Sequence, residues 1–334
     1  MNSGCEQIAE QVDRELELLN SEVGSLLSGT GTEHLHSRAL VQTGKLLRPR
    51  LLFICALHAA ESRGESVNWS LARQAALAIE LAHVGTLYHD DIVDQSTTRR
   101  GHPSVYREHG TVTAAYGGAH LLVLANRLAA EFPDRMVRDW ALAASRVADG
   151  QTRELENAGN CELVPDAYIQ IAQRKTGSLF KLAAQLGNYC GGGEGEAERE
   201  ALSQFALAFG TSFQLFDDLA DFSRPTSSHR PARTDLRNRT YTLPVLFGLC
   251  RDKDRELHSL LHNDGYTLND QTVDLVCETL RHGDDFTSAE QRAHVECDVA
   301  EAALRELAST DARDRLLEMV SEARSQGRLA RSAA

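Results

Sequence analysis

The chain has 334 residues, 42% apolar and 25% charged, enough to bury a substantial core and too apolar for a disordered or fibrous protein. Its formal net charge of −13 excludes a surface built for nucleic acid or anionic membrane, so any phosphate-bearing partner must meet local basic residues or metal ions. Seven scattered cysteines with no CxxC pair read as reduced thiols of a cytoplasmic protein, not as a disulfide framework or zinc site.

The N-terminal MNSGCEQIAEQVDREL lacks an apolar core flanked by basic residues, so no signal peptide is expected. No apolar run reaches the ~20 residues of a membrane span, and stable membrane insertion is not expected. GKLLRPR places Lys45 and Arg48 near a helix start. LARQAALAIELAHVGTLYHDDIVD (71–94), DAYIQIAQRKTGSLFKLAAQLG (166–187) and REALSQFALAFGTSFQLFDDLADF (199–222) show apolar residues at helical spacing. GGGEGEAERE (191–200) reads as a turn region, and SRPTSSHRPARTD (223–235) as a mobile loop. Proline-free stretches rich in Ala, Leu, Glu, Gln and Arg, with 6% aromatic residues, predict an all-α protein, taken as one helical domain over 1–334.

Helical spacing turns HDDIVD into geometry. Asp90 and Asp94 stand at i and i+4, on one face, with Asp91 beside them. Like charges at that spacing weaken an isolated helix by a few tenths of a kcal/mol, a sign that a bridging cation reverses. One such cluster is a weak signal. A second, Asp217, Asp218 and Asp221 in FQLFDDLADF, repeats the pattern on another predicted helix, with Gln214 on the same face. Facing each other, two such helices make a carboxylate-lined mouth for several Mg²⁺ ions around one pyrophosphate. Lys45, Arg48, Lys175, Thr176, Arg99 and Arg100 supply donors for that anion. His83 precedes Asp90 by seven residues, about 20° off its face and roughly 10 Å along the axis.

These residues resemble the trans-isoprenyl diphosphate synthases (polyprenyl synthetases). GKLLRP is similar to their GKxxRP, and IELAHVGTLYHDDIVDQSTTRRG to their first aspartate-rich region, including the upstream Glu80 and His83. RKTGSLF resembles their KT motif, FQLFDDLAD their second aspartate-rich region, and TDLRNRTYTLP the segment that closes over substrate. The resemblance implies a bundle of long, mostly antiparallel helices around a central cavity, and a homodimer. It implies condensation of isopentenyl diphosphate with an allylic diphosphate to a linear polyprenyl diphosphate. Asp90, Asp91, Asp94, Asp217, Asp218 and Asp221 would bind Mg²⁺, about three ions held with the substrate diphosphate. Arg99, Lys175, Thr176 and Gln214 would contact the allylic substrate, and Lys45, Arg48, His83 and Arg100 isopentenyl diphosphate. No side-chain nucleophile is needed.

The chain departs from this pattern at three positions. Ala119 stands where an Asp is usual, Arg230 at the first of two lysine positions in the loop after the second cluster, and Thr240 at the second. Arg239 is the expected stand-in for the charge missing at Thr240. The resemblance also puts Gly85 and Thr86 at the floor of the product tunnel, where small residues imply a product of C20 or longer. Rival readings are a class I terpene cyclase, an inactive partner subunit of a synthase, and an HD-type phosphohydrolase suggested by His89–Asp90. The cyclase usually has a different second metal motif and needs no isopentenyl site. The phosphohydrolase needs further histidines in a pattern absent here, and His89 is read as orienting a neighbouring carboxylate.

Overall fold

The computed structural model describes residues 3–28, 31–33, 35–36, 45–223, 233–253, 255–262, 267–281 and 284–332. Gly44, Arg230 and most of the 223–235 loop lie outside the described residues. The helices are α1 (Ser3–Leu27), α2 (Leu47–Arg63), α3 (Trp69–Val93), α4 (Val105–Ala129), α5 (Asp134–Glu156), α6 (Pro165–Ala172), α7 (Ser178–Cys190) and α8 (Glu196–Ser223). Short α9 (Thr234–Arg237), α10 (Leu243–Arg251) and α11 (Glu256–Leu261) follow, then α12 (Asp270–Arg281), α13 (Asp285–Arg305) and α14 (Asp311–Ser332). A π-helical turn, Gln173–Gly177, joins α6 to α7. The only strands among the described residues are a two-residue hairpin, β1 (Thr98–Arg99) and β2 (His102–Pro103), so the all-α expectation holds.

The ends of these helices follow from sequence. The Asn68 side chain accepts from the Leu71 N–H and opens α3, and Ser104 does the same for α4 through Arg107. Pro165 and Pro244 sit in the first turns of α6 and α10, where a missing N–H costs nothing. The turn expected over 191–200 is shorter than read, because α8 resumes at Glu196. The 223–235 stretch ends in α9.

The chain divides into two compact units. The first holds Met1–Ala143, Leu179–Ala206 and Ala303–Glu318, around a core that includes Leu51, Leu52, Phe53, Ile79, Leu81 and Phe205, each with no exposure to water. In it α3 packs on α4 through small residues: a Cβ on Gly85 would lie 2.9 Å from the Gly118 carbonyl oxygen. The second holds Ala144–Ser178, Leu207–Ala302 and Met319–Ala334, with Val245, Leu246, Val273, Val276 and Ala293 in its core. All seven cysteines are free thiols. No described helix is long and apolar enough to cross a membrane.

Candidate active site

The last turn of α3 carries the first acidic cluster. Asp91 is buried, while Asp90 and Asp94 are half-buried, Asp94 at the helix C-cap. Beyond it, β1 and β2 pair Arg99 with His102, and the two turn residues between them, Arg100 and Gly101, take φ of 53° and 81°. Two positive-φ residues form the tight turn that matches the twist of paired strands. The turn separates adjacent arginines. Arg99 folds back on Asp91, its Nε donating to Oδ1 at 2.9 Å. Burial pushes the Asp91 carboxyl up, Arg99 opposes the shift, and Asp90 adds to it.

Arg100 belongs to a second group with Arg48, Glu80 and His83. Glu80 is 3% exposed; burial raises its carboxyl against the pull of Arg48 and Arg100. Burial lowers the Arg48 guanidinium to about 10, with Glu80 opposing and Arg100 adding to the shift. Arg48 lies 4.7 Å from the Phe180 ring centroid, and its buried Nε finds no hydrogen-bond partner among the described residues. His83 is held well below its ordinary pKa by burial, then by Arg48, Arg100 and Arg99, so its imidazole is neutral at pH 7. One buried acid among these arginines leaves an excess of positive charge, the chemistry of an anion receptor. Arg48, His83 and Arg100 thus share one cluster, whereas Lys45 is exposed ahead of α2. Glu80, assigned no role from sequence, is the acid they surround.

In the second unit the KT motif falls on the π turn, a form concentrated at functional sites. Buried Thr176 donates its hydroxyl to Gln214 Oε1 at 2.8 Å, and Gln214 Nε2 donates to Asp218 Oδ1 at 2.8 Å. The Tyr168 hydroxyl donates to the other Asp218 oxygen. Lys175 pairs with Glu154. Burial, aided by Asp217 and Glu154, pushes Asp218 up to about 7 despite the hydrogen bonds from Tyr168 and Gln214. Asp217 is exposed; Asp221 is 8% exposed and accepts the Asp235 N–H at 3.3 Å. Sequence reasoning missed Tyr168 and Glu154, which lie roughly fifty to sixty residues from the aspartates they influence and carry no local pattern.

The donor set fits a hard divalent cation. It offers carboxylate oxygens only, and buried Asp218 is destabilised by acidic neighbours whose field a cation would reverse. Among the described residues no three or more His, Cys, Asp or Glu side chains form a group able to hold a metal ion by themselves. Mg²⁺ does not require one, since it takes one or two carboxylates and completes its shell with water and substrate oxygens.

Three expectations meet a different geometry. Gly85, placed on the tunnel floor by resemblance, faces α4, where its missing side chain permits the close crossing at Gly118. Arg239, the expected stand-in for Thr240, packs its guanidinium on Gly159 and donates to the Leu261 carbonyl at 3.4 Å. His89 Nε2 lies 3.1 Å from the Ala115 carbonyl, not on a carboxylate. Thr86 donates to the His83 carbonyl at 2.7 Å.

The sequence profile of the polyprenyl synthetases matches residues 33–278. A nonaprenyl diphosphate synthase of Mycobacterium tuberculosis is 34% identical over 207 residues, 62% of this chain and 60% of that protein. A (2E,6E)-farnesyl diphosphate synthase of Mycobacterium bovis is 30% identical over 263 residues, 75% of this chain and 71% of its own length. The crystal structure of a polyprenyl synthase from Caulobacter crescentus CB15, complexed with calcium and isoprenyl diphosphate, superposes with a TM-score of 0.84 at 25% identity, covering 96% of this chain and 97% of that one. With both acidic clusters and the anion-receiving arginines within the matched span, the chain belongs to the polyprenyl synthetase family, whose relatives here are named prenyl diphosphate synthases and are prenyltransferases.

Proposed function

We propose that the protein, acting as one isoprenoid-synthase-like domain over 1–334, is a cytoplasmic Mg²⁺-dependent prenyltransferase that condenses isopentenyl diphosphate with an allylic diphosphate. The observation that carries this reading is the pairing of two sites on α3. Its last turn bears Asp90, Asp91 and Asp94, and earlier turns bear Glu80 and His83 within the field of Arg48 and Arg100. The second site suits another diphosphate, for which a cyclase has no use.

In this reading the six aspartates of the two clusters hold Mg²⁺, which when bound neutralises charge developing on departing pyrophosphate. Arg99, Lys175, Thr176, Gln214 and Arg230 hold the allylic diphosphate. Lys45, Arg48 and Arg100 hold isopentenyl diphosphate, with neutral His83 as a hydrogen-bonding partner. The allylic C–O bond breaks, the C=C bond of isopentenyl diphosphate attacks the resulting cation, and the proton lost from the adduct passes to pyrophosphate. Purified protein with Mg²⁺ and a panel of allylic primers should yield linear elongated diphosphates by mass spectrometry. EDTA should abolish turnover and Mg²⁺ restore it. Cyclic hydrocarbons, or inactivity without a different partner subunit, would overturn the reading.

Product length of C20 or more rests on small Thr86 near the reacting end. Thr86→Phe should shorten the product by at least one isoprene unit, read by the same assay. Gly85→Phe is a poor probe, because its side chain would first push α3 from α4. A homodimer is supported by Val112, Tyr116 and Val123, 70%, 76% and 64% exposed along α4, a large apolar exposure for a lone surface. Tyr116→Glu should give monomers by sedimentation velocity; an unchanged assembly would place the interface elsewhere.

A further inference from the structure

Glu154 is absent from every motif above, yet its surroundings are built. Gly150, one turn earlier on α5, is buried, and a Cβ there would lie 2.5 Å from the Lys175 backbone nitrogen and 2.9 Å from Arg174 Cβ. So α5 touches the π turn backbone to backbone. Residues four apart share a helix face, and Glu154 accordingly meets the Lys175 ammonium, the two side chains 21% and 25% exposed. On the other side of Gly150, Asp149 accepts from Arg174 Nε at 2.7 Å and from Arg153 Nε at 2.9 Å. Both basic residues of the turn are therefore tied to acids of α5. A lysine ammonium is a point charge on a flexible stem and has no geometry of its own. Its direction must come from a partner.

We propose that Glu154 is a positioning residue: its carboxylate fixes the Lys175 ammonium for the allylic diphosphate and so sets affinity at that site, not at the isopentenyl site. This rests on Lys175 contacting that diphosphate, as read above. A partly exposed ion pair adds little to fold stability, so the effect is on binding.

The test compares wild type, Glu154→Gln, Glu154→Asp, Lys175→Gln and the Glu154→Gln/Lys175→Gln double variant. Readouts are steady-state kinetics, urea unfolding, and calorimetric titration with pyrophosphate and Mg²⁺. Glu154→Gln should raise the allylic KM and the pyrophosphate Kd roughly tenfold, the scale of one charge-assisted bond. The isopentenyl KM and the unfolding midpoint should stay within error, and Glu154→Asp should recover most of the loss. The double variant should be no worse than Lys175→Gln alone, because a residue acting through another is not additive with it. Additive losses, equal effects on both substrates, or an unchanged pyrophosphate Kd would overturn the proposal. Coupled pyrophosphate binding in a wild type that makes no prenyl product would sink the functional reading alone; an active wild type without coupling would sink the positioning role alone.

Discussion

Replacing Asp90 by Asn should leave the fold intact and lower turnover by roughly a thousandfold. Asp90, Asp91 and Asp94 occupy the C-terminal turn of α3, where the helix dipole is negative and carboxylates are disfavoured. The second cluster lies similarly near the end of α8, which closes at Ser223. Neutralising Asp90 relieves repulsion at i+4 and at the dipole but gives up its attraction for Arg99, so stability should change by no more than a few tenths of a kcal/mol. Catalysis moves the other way. A metal ion supplies several kcal/mol of transition-state stabilisation, and losing about 4 kcal/mol of it is roughly a thousandfold in rate. Single-turnover rates at saturating Mg²⁺, with a thermal melt as control, decide the matter. A loss below tenfold would remove Asp90 from the metal shell.

Gly150→Val should be the most destabilising of the single changes considered, by about 3 kcal/mol in urea unfolding. Its Cβ would meet backbone, which yields less readily than the end of a side chain. The damage should be local in function too, raising the allylic KM because the π turn carrying Lys175 must retreat. Gly24→Ala in α1 is the opposite-sign control: nothing lies within 4 Å of its Cβ position, so better helix propensity should stabilise by about 0.5–1 kcal/mol. Equal stability of the two variants would show that α5 and the π turn are not held in close contact.

Long helices with apolar periodicity, and the spacing inside each aspartate cluster, are local properties and were legible in the sequence. The three long predicted segments correspond to α3, to α6 through α7, and to α8. The π turn was not legible: 166–187 reads as one helical run, and no residue type marks where a helix takes one extra residue per turn. Nor was the pairing of Arg99 with Asp91, since sequence supplies two opposite charges without saying whether they meet each other or a ligand. Arg239 failed for a related reason. A charge next to a vacant lysine position looks like a substitute until a left-handed backbone, φ 61°, turns it onto Gly159. Gly85 was placed by resemblance alone, and resemblance does not say that the neighbouring helix stands against it.

The hairpin after α3 has a consequence for how this segment tolerates change. Its tight turn divides two chemically identical neighbours between different acids, Arg99 with Asp91 and Arg100 with Glu80. Identity cannot tell the two arginines apart; only their count from Asp94 does. Of the residues between, Ser96 to Thr98 should accept varied side chains, while Gln95, at φ 50°, disfavours β-branched ones. One inserted residue would put Arg99 in Arg100's place and one deleted residue Arg100 in Arg99's, leaving the other duty without an arginine. Length, rather than composition, is the information this stretch carries.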